Sequence, residues 1–265
     1  PEQSPYAIAA FWFAGERESA PDVRIAMSLL ERQTHTWREA QWVVDRHAMG
    51  ATLGHGLRRL GNPVAWIDAQ QRIHLFVVAT GLGGWAASRV LHLRQAAGST
   101  DLANLQLDVV RVLPLSWLWN TSHLVRNPPL PLADGGMVLP LHFELGLKYP
   151  VFAWFNRDGD LMGLHRISKR KDLLQPSLLA ITPTHWLALM RTQSPVRRVA
   201  VVESFDAGAH WQSHADLDLP NPDAGLATLA LAPQHFAVVQ HPIPRGRHAL
   251  AWQLSTDGKE WSAPM

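Results

Sequence analysis

The 265-residue sequence contains no cysteine. This absence excludes disulfide bonds, a catalytic thiolate and zinc sites built on cysteine. No apolar run approaches the ~20 residues of a membrane-spanning helix. Charge is also scarce, because charged residues make up 17% of the chain, and 24 basic against 22 acidic residues give a net charge of +2. The basic residues are scattered, so we expect no nucleic-acid partner.

Cofactor motifs are missing as well. The sequence has no HExxH, no P-loop and no GxGxxG after a strand, so we expect no catalytic metal and no nucleotide cofactor. Tryptophan, in contrast, is abundant, with 12 residues against two tyrosines. That number suits an all-β core or a sugar-binding surface. Trp85, Trp117 and Trp119 are candidates for the second role, with packing between sheets as the plainer alternative.

The first residues, PEQSPYAIAAFWFAG, look like the middle of a strand. We therefore expect an N-terminus that was trimmed. Removal of a signal sequence would favour the periplasm or secretion, and otherwise the protein would be cytoplasmic. The sequence carries no signal for an oligomeric state.

Four segments share one layout: Asn/Gln-Pro, a short apolar run, a polar or glycine-containing turn and a second apolar run. They are 62–78, 127–143, 175–191 and 221–240, and their starts lie 65, 48 and 46 residues apart. Each reads as a β-hairpin with alternating arms. A period of about 45–50 residues with several strands per unit is typical of a β-propeller blade.

Two of these hairpins are followed by related turns, SFDAGAHW and STDGKEW. In them an aspartate can bond nearby backbone amides, and glycine supplies a positive φ. We expect both turns to be structural, each with its tryptophan between neighbouring sheets. Their residues are Ser204, Asp206, Gly208 and Trp211 in the first turn, and Ser255, Asp257, Gly258 and Trp261 in the second.

This pattern resembles the Asp-box (BNR) repeat of the sialidase superfamily. The resemblance implies an all-β fold, a six-bladed propeller of four-stranded blades. About five blades are visible in a single domain spanning 1–265, at 6–50, 60–115, 120–172, 173–220 and 221–265. In that superfamily the repeat lies away from the face that carries the active site.

The resemblance also implies site residues, because sialidases hold an acidic sugar with three arginines. The stretch FWFAGERESAPDVRI is similar to a family segment in which Arg17 would line the pocket and Asp22 would be the general acid/base. A loop salt bridge between Arg17 and Asp22 is the alternative. Arg191 and Arg247 precede the two Asp boxes and match two arginines of the family, with Arg245 as the alternative to Arg247. A guanidinium suits this role because its planar fork holds a carboxylate by two bonds.

Several family groups are replaced or absent. Gln175 stands where the family has the glutamate that activates a tyrosine, and an amide cannot accept that proton. Neither Tyr6 nor Tyr149 is in register with the nucleophilic tyrosine, and no arginine occurs before residue 11. Sialidase chemistry through a tyrosine–glutamate couple is therefore incomplete in this chain.

The segment 120–150 resembles a bacterial predicted-neuraminidase branch of the superfamily. It carries Glu144 at the end of an apolar strand, preceded by Arg126. Glu144 could be a second catalytic carboxylate, since two carboxyl groups flanking a glycosidic bond suffice for hydrolysis. Arg126 could add positive charge for substrate binding. An exposed residue at a strand end is the alternative for each.

We therefore predict a sialidase-like carbohydrate-active protein, an exo-glycosidase that acts on a sugar of the sialic or uronic acid type. Its catalytic residues would be Asp22 and Glu144, and its substrate-binding residues Arg17, Arg126, Gln175, Arg191 and Arg247. The partner would be an acidic glycan. Two alternatives stay open: a non-catalytic propeller that binds a glycan or a protein, and a lyase that acts on uronate polysaccharides.

Overall fold

The computed structural model of the protein describes residues 4–81, 84–116 and 120–265; Trp117 and Trp119 lie outside the described residues. Antiparallel β-strands account for nearly all regular structure in those ranges, which confirms the all-β prediction. The chain divides into two compact units, Pro1–Val125 and Arg126–Met265. None of the helices in the described ranges has both the length and the apolarity that a membrane span requires.

The first unit contains two antiparallel sheets, with strand orders β1-β2-β3 and β4-β5-β6-β7. Strand β5 is buried at all eight positions, which explains its nearly continuous apolar sequence IHLFVVAT. The strands are β1 (Tyr6–Ala14), β2 (Arg24–Glu31), β3 (Gln41–Val44), β4 (Arg59–Ile67), β5 (Ile73–Thr80), β6 (Ser88–Gln95), β7 (Leu107–Val112) and β8 (His123–Val125).

Helix α1 (Arg46–Leu53) connects the two sheets of the first unit. Asp45 caps its N-terminus, because the carboxylate accepts hydrogen bonds from the backbone amides of His47 at 2.8 Å and Ala48 at 3.2 Å. Gly54 ends the helix in the left-handed conformation with φ 72°. Half-buried Trp85 belongs to a short 3-10 helix and contacts Gly61 of β4.

The second unit contains three antiparallel sheets. In the first of them β10 lies between β9 and β11, and β12 follows β11; the others have the orders β13-β14-β15-β16 and β17-β18-β19. The strands are β9 (Leu130–Pro131), β10 (Met137–Phe143), β11 (Tyr149–Phe155), β12 (Leu161–Arg166), β13 (Leu173–Ala180), β14 (Trp186–Thr192), β15 (Ala200–Ser204), β16 (Gln212–Ser213), β17 (Ala227–Ala232), β18 (His235–Gln240) and β19 (Ala251–Ser255).

The middle sheet of the second unit packs on both faces, because successive side chains of a strand point to opposite faces. Trp186, Ala188 and Met190 of β14 join a core cluster with Val138 and Phe152 of the preceding sheet. The alternate residues Leu187 and Leu189 join a second cluster with Phe236 and Val238 of the following sheet. The sequence of β14 is therefore apolar on both faces.

The Asp-box turn after β15 is held by short hydrogen bonds. Ser204 Oγ accepts from the amide of Gly208 at 2.8 Å and donates to Asp206 Oδ1 at 2.9 Å. Gly208 has φ 86°, and a side chain there would meet Trp186 at 2.9 Å, so the turn requires glycine. Trp211 Nε1 donates to the Gly208 carbonyl at 2.9 Å and packs against the first of the two core clusters.

The second Asp box repeats this geometry after β19. Ser255 Oγ accepts from Gly258 N at 2.8 Å, and Asp257 Oδ1 accepts from the amides of Lys259 and Glu260 at 2.8 and 2.9 Å. Trp261 packs against the second core cluster. Both turns thus attach a tryptophan to the junction between two sheets.

The Asn/Gln-Pro motif marks a β-bulge in strands β4 and β13. Gln175 of β13 has φ 53°, where the register to β14 shifts between Leu174 and Ser177. Asn62 of β4 has φ 44° at a corresponding shift in its pairing with β5. A proline follows each of them, and a bulge tolerates proline because a ladder hydrogen bond is already missing there.

A chain of buried polar side chains lies inside the second sheet of the first unit. Asp68 Oδ2 is 2.9 Å from His74 Nε2, and His74 Nδ1 is 2.7 Å from His92 Nε2. Burial lowers the pKa of His92 to about 3, with His74 and two arginines acting in the same direction. Burial raises the pKa of Asp68, but hydrogen bonds from His74 and Arg72 outweigh it, so the net shift is downward.

The buried row of Asp68, His74 and His92 predicts that the folded protein loses stability in acid. The unfolded protein binds a proton at His92 below its ordinary pKa of 6.5, whereas the native protein does not until about 3. The stabilisation is therefore complete above pH 6.5 and declines as the pH falls toward 3, by up to about 1.4 kcal/mol per pH unit. Urea unfolding at pH 7, 6, 5 and 4 measures the slope, and His92→Leu should reduce it. Exposed His47→Gln is the control, and an equal slope in His92→Leu and the native protein would contradict the assignment.

Candidate functional site

Two arginines of the second unit meet at one aspartate. Arg191, near the end of β14, donates from Nε to Asp223 Oδ1 at 2.5 Å, and both side chains are largely buried. Arg247 donates from Nη2 to the backbone carbonyl of Asp223 at 2.7 Å. Asp223 has φ 63°, a left-handed conformation in the NPDAG turn that presents its carboxylate and its carbonyl to different arginines.

A third guanidinium, that of Arg126, lies close to the other two. Its Nη1 donates to the carbonyl of Leu226 at 3.2 Å and to Asn127 Oδ1 at 3.1 Å. Within the described part of the chain it forms no ion pair with a carboxylate. Its guanidinium lies on the backbone of Gly225, because a Cβ added there would be 2.3 Å from Arg126 Cζ.

No nearby negative charge of the described residues compensates the positive charge of Arg126 among the causes that shift its pKa. Burial of the guanidinium lowers the pKa of Arg126, and the positive charges of Arg191 and Arg247 lower it further. Arg126 is nevertheless exposed as a residue, so its side chain remains accessible from solvent. Three like charges with one carboxylate among them form a place where an anion is stabilised. We call Arg126, Arg191 and Arg247 the arginine cluster.

Gln175 borders the arginine cluster. Its Oε1 is 3.5 Å from Arg191 Nη1. Its backbone is held by buried Asn127, whose Nδ2 donates to the carbonyls of Gln175 and Pro176, both at 3.0 Å. Asn127 therefore connects Arg126 with the bulge that places the Gln175 side chain beside Arg191.

Glu144 follows β10 and is half-buried. His142 lies behind it, with Nε2 at 3.4 Å from Glu144 Oε2. The hydrogen bond from His142 is the main cause that lowers the pKa of Glu144; burial opposes it, and the positive charges of Lys148 and Arg191 assist. Glu144 is thus an ionised carboxylate in the electrostatic field of the arginine cluster.

The Asp box and the arginine cluster lie at opposite ends of β14. Trp186, the first residue of β14, pairs with Ser204 of the Asp box, whereas Arg191 is five residues further along the strand. At about 3.3 Å per residue this separates the two ends by roughly 17 Å. The Asp box therefore lies in the turn at one end of β14, and Arg191 lies near the other end.

Asp22 and Arg17 belong to the first unit, in the loop between β1 and β2, and both are exposed. Asp22 Oδ2 accepts a hydrogen bond from the amide of Glu16 at 2.7 Å. Between Arg17 and Asp22 no ion pair forms within the described ranges, so the carboxylate of Asp22 is held by the loop backbone.

The two tyrosines have other contacts. The Tyr149 ring stacks on Phe143 with 4.9 Å between centroids, and the Arg166 guanidinium lies 4.3 Å from its centroid. Tyr6 accepts a hydrogen bond at its hydroxyl from Arg38 Nη1 at 2.6 Å. Among the described residues, no group of three or more His, Asp or Glu side chains is placed to hold a metal ion.

Asp223, Asn127, Gly225 and His142 were not among the residues that the sequence suggested for the site. His142 carried a usable signal, because residues i and i+2 of a strand share a face and it precedes Glu144 by two positions. Asp223 follows an Asn-Pro pair and reads as an ordinary turn residue. The contact of Gly225 with Arg126 joins residues about 100 positions apart, and no local pattern reports it.

Antiparallel sheets joined by two Asp-box turns are typical of sialidase-like proteins with BNR repeats. The sequence profile of the BNR repeat-like domain matches residues 7–265, and the chain belongs to that family. The fold resembles a Hadza microbial sialidase, Hz136, with a TM-score of 0.75 and 14% identity over 97% of this chain and 55% of that one. It also resembles Trypanosoma rangeli sialidase, solved with 2,3-difluorosialic acid as a covalent intermediate, with a TM-score of 0.70 and 13% identity over 94% and 44%.

The NanB sialidase from Streptococcus pneumoniae is similar as well, with a TM-score of 0.71 and 8% identity over 96% of this chain and 58% of that one. The chain spans about half the length of the solved sialidases it matches. A search of the curated proteins gives no match. The resemblance at these identities establishes the fold, and it confirms the predicted superfamily together with the family profile.

The contact between Arg126 and Gly225 predicts the effect of a single methyl group. In Gly225→Ala the new Cβ would be 2.3 Å from Arg126 Cζ and 2.5 Å from Nε, so the guanidinium must leave its place. We expect the bond to the Leu226 carbonyl to be lost, with a change in stability of about 1 kcal/mol. Crystal structures and thermal unfolding measure both effects. Gly56→Ala, where the methyl group meets open space, is the control; an unmoved Arg126 in Gly225→Ala would refute the contact.

Proposed function

We propose that the protein is a sialidase-like glycosidase that binds a glycan through the carboxylate of its terminal sugar. One observation carries the proposal: Arg126, Arg191 and Arg247 lie together, and within the described residues Arg126 has no acidic partner. A ligand carboxylate would supply the missing negative charge. A planar guanidinium binds a carboxylate by two parallel hydrogen bonds, which favours a carboxylate over a neutral sugar.

The free donor atoms support this role. Arg126 uses Nη1 for its two protein contacts, Arg191 uses Nε for Asp223, and Arg247 uses Nη2. Each guanidinium has five N–H donors, so donors remain for a ligand. Trypanosoma rangeli sialidase, a structural neighbour, holds an acidic sugar derivative, which is consistent with an acidic sugar as the ligand here.

Hydrolysis would need two carboxyl groups. Glu144 supports one of these roles because it is ionised and its pKa responds to the charge of Arg191. The resemblance of residues 11–25 assigns the acid/base role to Asp22, an exposed carboxylate in the first unit. Arg17, in the same loop, is proposed to contact the substrate, and Gln175 is proposed to donate from its amide nitrogen because its oxygen faces Arg191.

The second candidate function is glycan binding without catalysis. Gln175 favours it, because an amide beside Arg191 cannot act as the base that its position has in sialidases. A binding protein would keep the arginine cluster and would dispense with proton transfer. Acidic ligands would then bind without turnover.

Binding is tested at Arg126. Arg126→Ala should weaken the binding of N-acetylneuraminic acid or glucuronic acid by about 10- to 100-fold, because hydrogen bonds to charged groups contribute about 1.5–3 kcal/mol. Isothermal titration calorimetry at low salt measures the affinity. Arg157→Ala, an exposed arginine of the same unit, is the matched control. Equal affinities of Arg126→Ala and the native protein would contradict the proposed site.

Catalysis is tested with fluorogenic sialosides and uronides. The native protein should release the fluorophore, and Asp22→Asn should lower the rate by at least 100-fold, because it removes a general acid. Binding of the sugar acids without release from any substrate would reject the glycosidase and support the second candidate. Absorbance of an unsaturated uronate product, with no release from sialosides, would instead indicate a lyase.

A further inference from the structure

His142 and Glu144 contact each other within the electrostatic field of the arginine cluster. They are two residues apart at the end of β10, so both side chains are directed to one face of the sheet. His142 is 1% exposed, whereas the Glu144 side chain is 32% exposed. Their closest atoms, Nε2 and Oε2, are 3.4 Å apart. A buried imidazole therefore stands behind a carboxylate that reaches the surface.

The protonation of His142 follows from its surroundings. Burial lowers the pKa of His142, and the charges of Arg191 and Arg126 act in the same direction, while Glu144 opposes them. A neutral imidazole carries one hydrogen. With that hydrogen on Nε2 the ring donates to Glu144; with it on Nδ1, a lone pair would face the carboxylate. The 3.4 Å approach of Nε2 to the carboxylate thus favours the Nε2–H form.

The other ring nitrogen is an unused acceptor. His142 Nδ1 is buried and has no hydrogen-bond partner within the described chain. An imidazole kept in the interior with one nitrogen unsatisfied costs free energy, so its single contact with Glu144 requires an explanation. Lys148, the neighbouring cation, donates instead to Gln193 Oε1 at 2.7 Å. Among the described residues, the close side-chain contact of Glu144 is therefore the one with His142.

We propose that His142 is a positioning residue that holds the Glu144 carboxylate where it accepts a hydrogen bond from a hydroxyl group of the bound sugar. The arginine cluster would bind the carboxylate of the sugar, and Glu144 would bind a neighbouring donor. A ligand then needs both an anionic group and a hydroxyl group, which distinguishes a sugar acid from a simple carboxylate. The inference rests on the proposed function of the arginine cluster.

The contact between His142 and Glu144 can be tested on the whole chain without any ligand. In ¹³C NMR titrations between pH 7 and 4, the Glu144 carboxyl should stay ionised down to about pH 4.5 in the native protein. In His142→Phe the donor is lost and burial then raises the pKa of Glu144, so titration should begin at least one pH unit higher. In His142→Gln an amide donor replaces the imidazole, and the native behaviour should return. His165→Phe, an exposed histidine of β12, is the control.

A measurement on the native protein covers the case in which His142→Phe does not fold. Long-range ¹H–¹⁵N spectra should show His142 neutral with its proton on Nε2 at pH 7. A protonated His142, an Nδ1–H form, or a Glu144 titration unchanged in His142→Phe would overturn the inference. These outcomes require no ligand, so failure of N-acetylneuraminic acid to bind would reject the proposed function and would be seen separately.

The second measurement tests which chemical groups a ligand needs in order to bind. N-acetylneuraminic acid should bind the native protein at least tenfold more tightly than acetate, which has the carboxylate and no hydroxyl group. His142→Phe should reduce that ratio, and His142→Gln should preserve it. An unchanged ratio in His142→Phe would show that His142 has only a structural role.

Discussion

Asp223 is the one carboxylate on which the arrangement of the arginine cluster depends. Its side chain orients Arg191 and its carbonyl orients Arg247, so a single left-handed turn residue fixes one guanidinium group from strand β14 and one from the loop between β18 and β19. Without it, three positive charges would repel one another in a partly buried place, where charge interactions are stronger than in water. One negative charge against three positive ones holds the cluster together and still leaves it attractive to an anion.

The sheets separate this polar chemistry from the structural turns. Strand β14 is apolar on both faces because it is buried between two sheets. Polar functional side chains can therefore be placed only at its ends. One end holds the Asp box, where Ser204, Gly208 and Trp211 lock a turn to the sheet junction. The other end holds Arg191 and, through the bulge, Gln175. The structural turn and the proposed binding residues therefore lie at opposite ends of β14.

Whether the proposed site would catalyse or only bind depends on Gln175 and Glu144. An amide at Gln175 can donate and accept hydrogen bonds, but it takes no proton from a nucleophile. The contact with His142 and the positive charge of Arg191 lower the pKa of Glu144, so its carboxylate is ionised. The second unit thus offers three guanidinium groups together with one ionised carboxylate, that of Glu144, for the proposed function. A complete hydrolytic mechanism would also use the acid that the resemblance assigns to Asp22.

The sequence by itself determined the features that arise within one hairpin. Alternation of apolar residues, the Asn/Gln-Pro repeats and the two Ser-x-Asp turns predicted an all-β chain of the sialidase class, because strand, turn and bulge are set by neighbouring residues. The same periodicity suggested Arg191 and Arg247 as partners. Tertiary structure alone decided that Asp223 joins them, that Gly225 makes room for Arg126, and that His142 is buried behind Glu144. These contacts join residues far apart in the chain, or depend on what covers a side chain, and neither property is encoded in a local pattern.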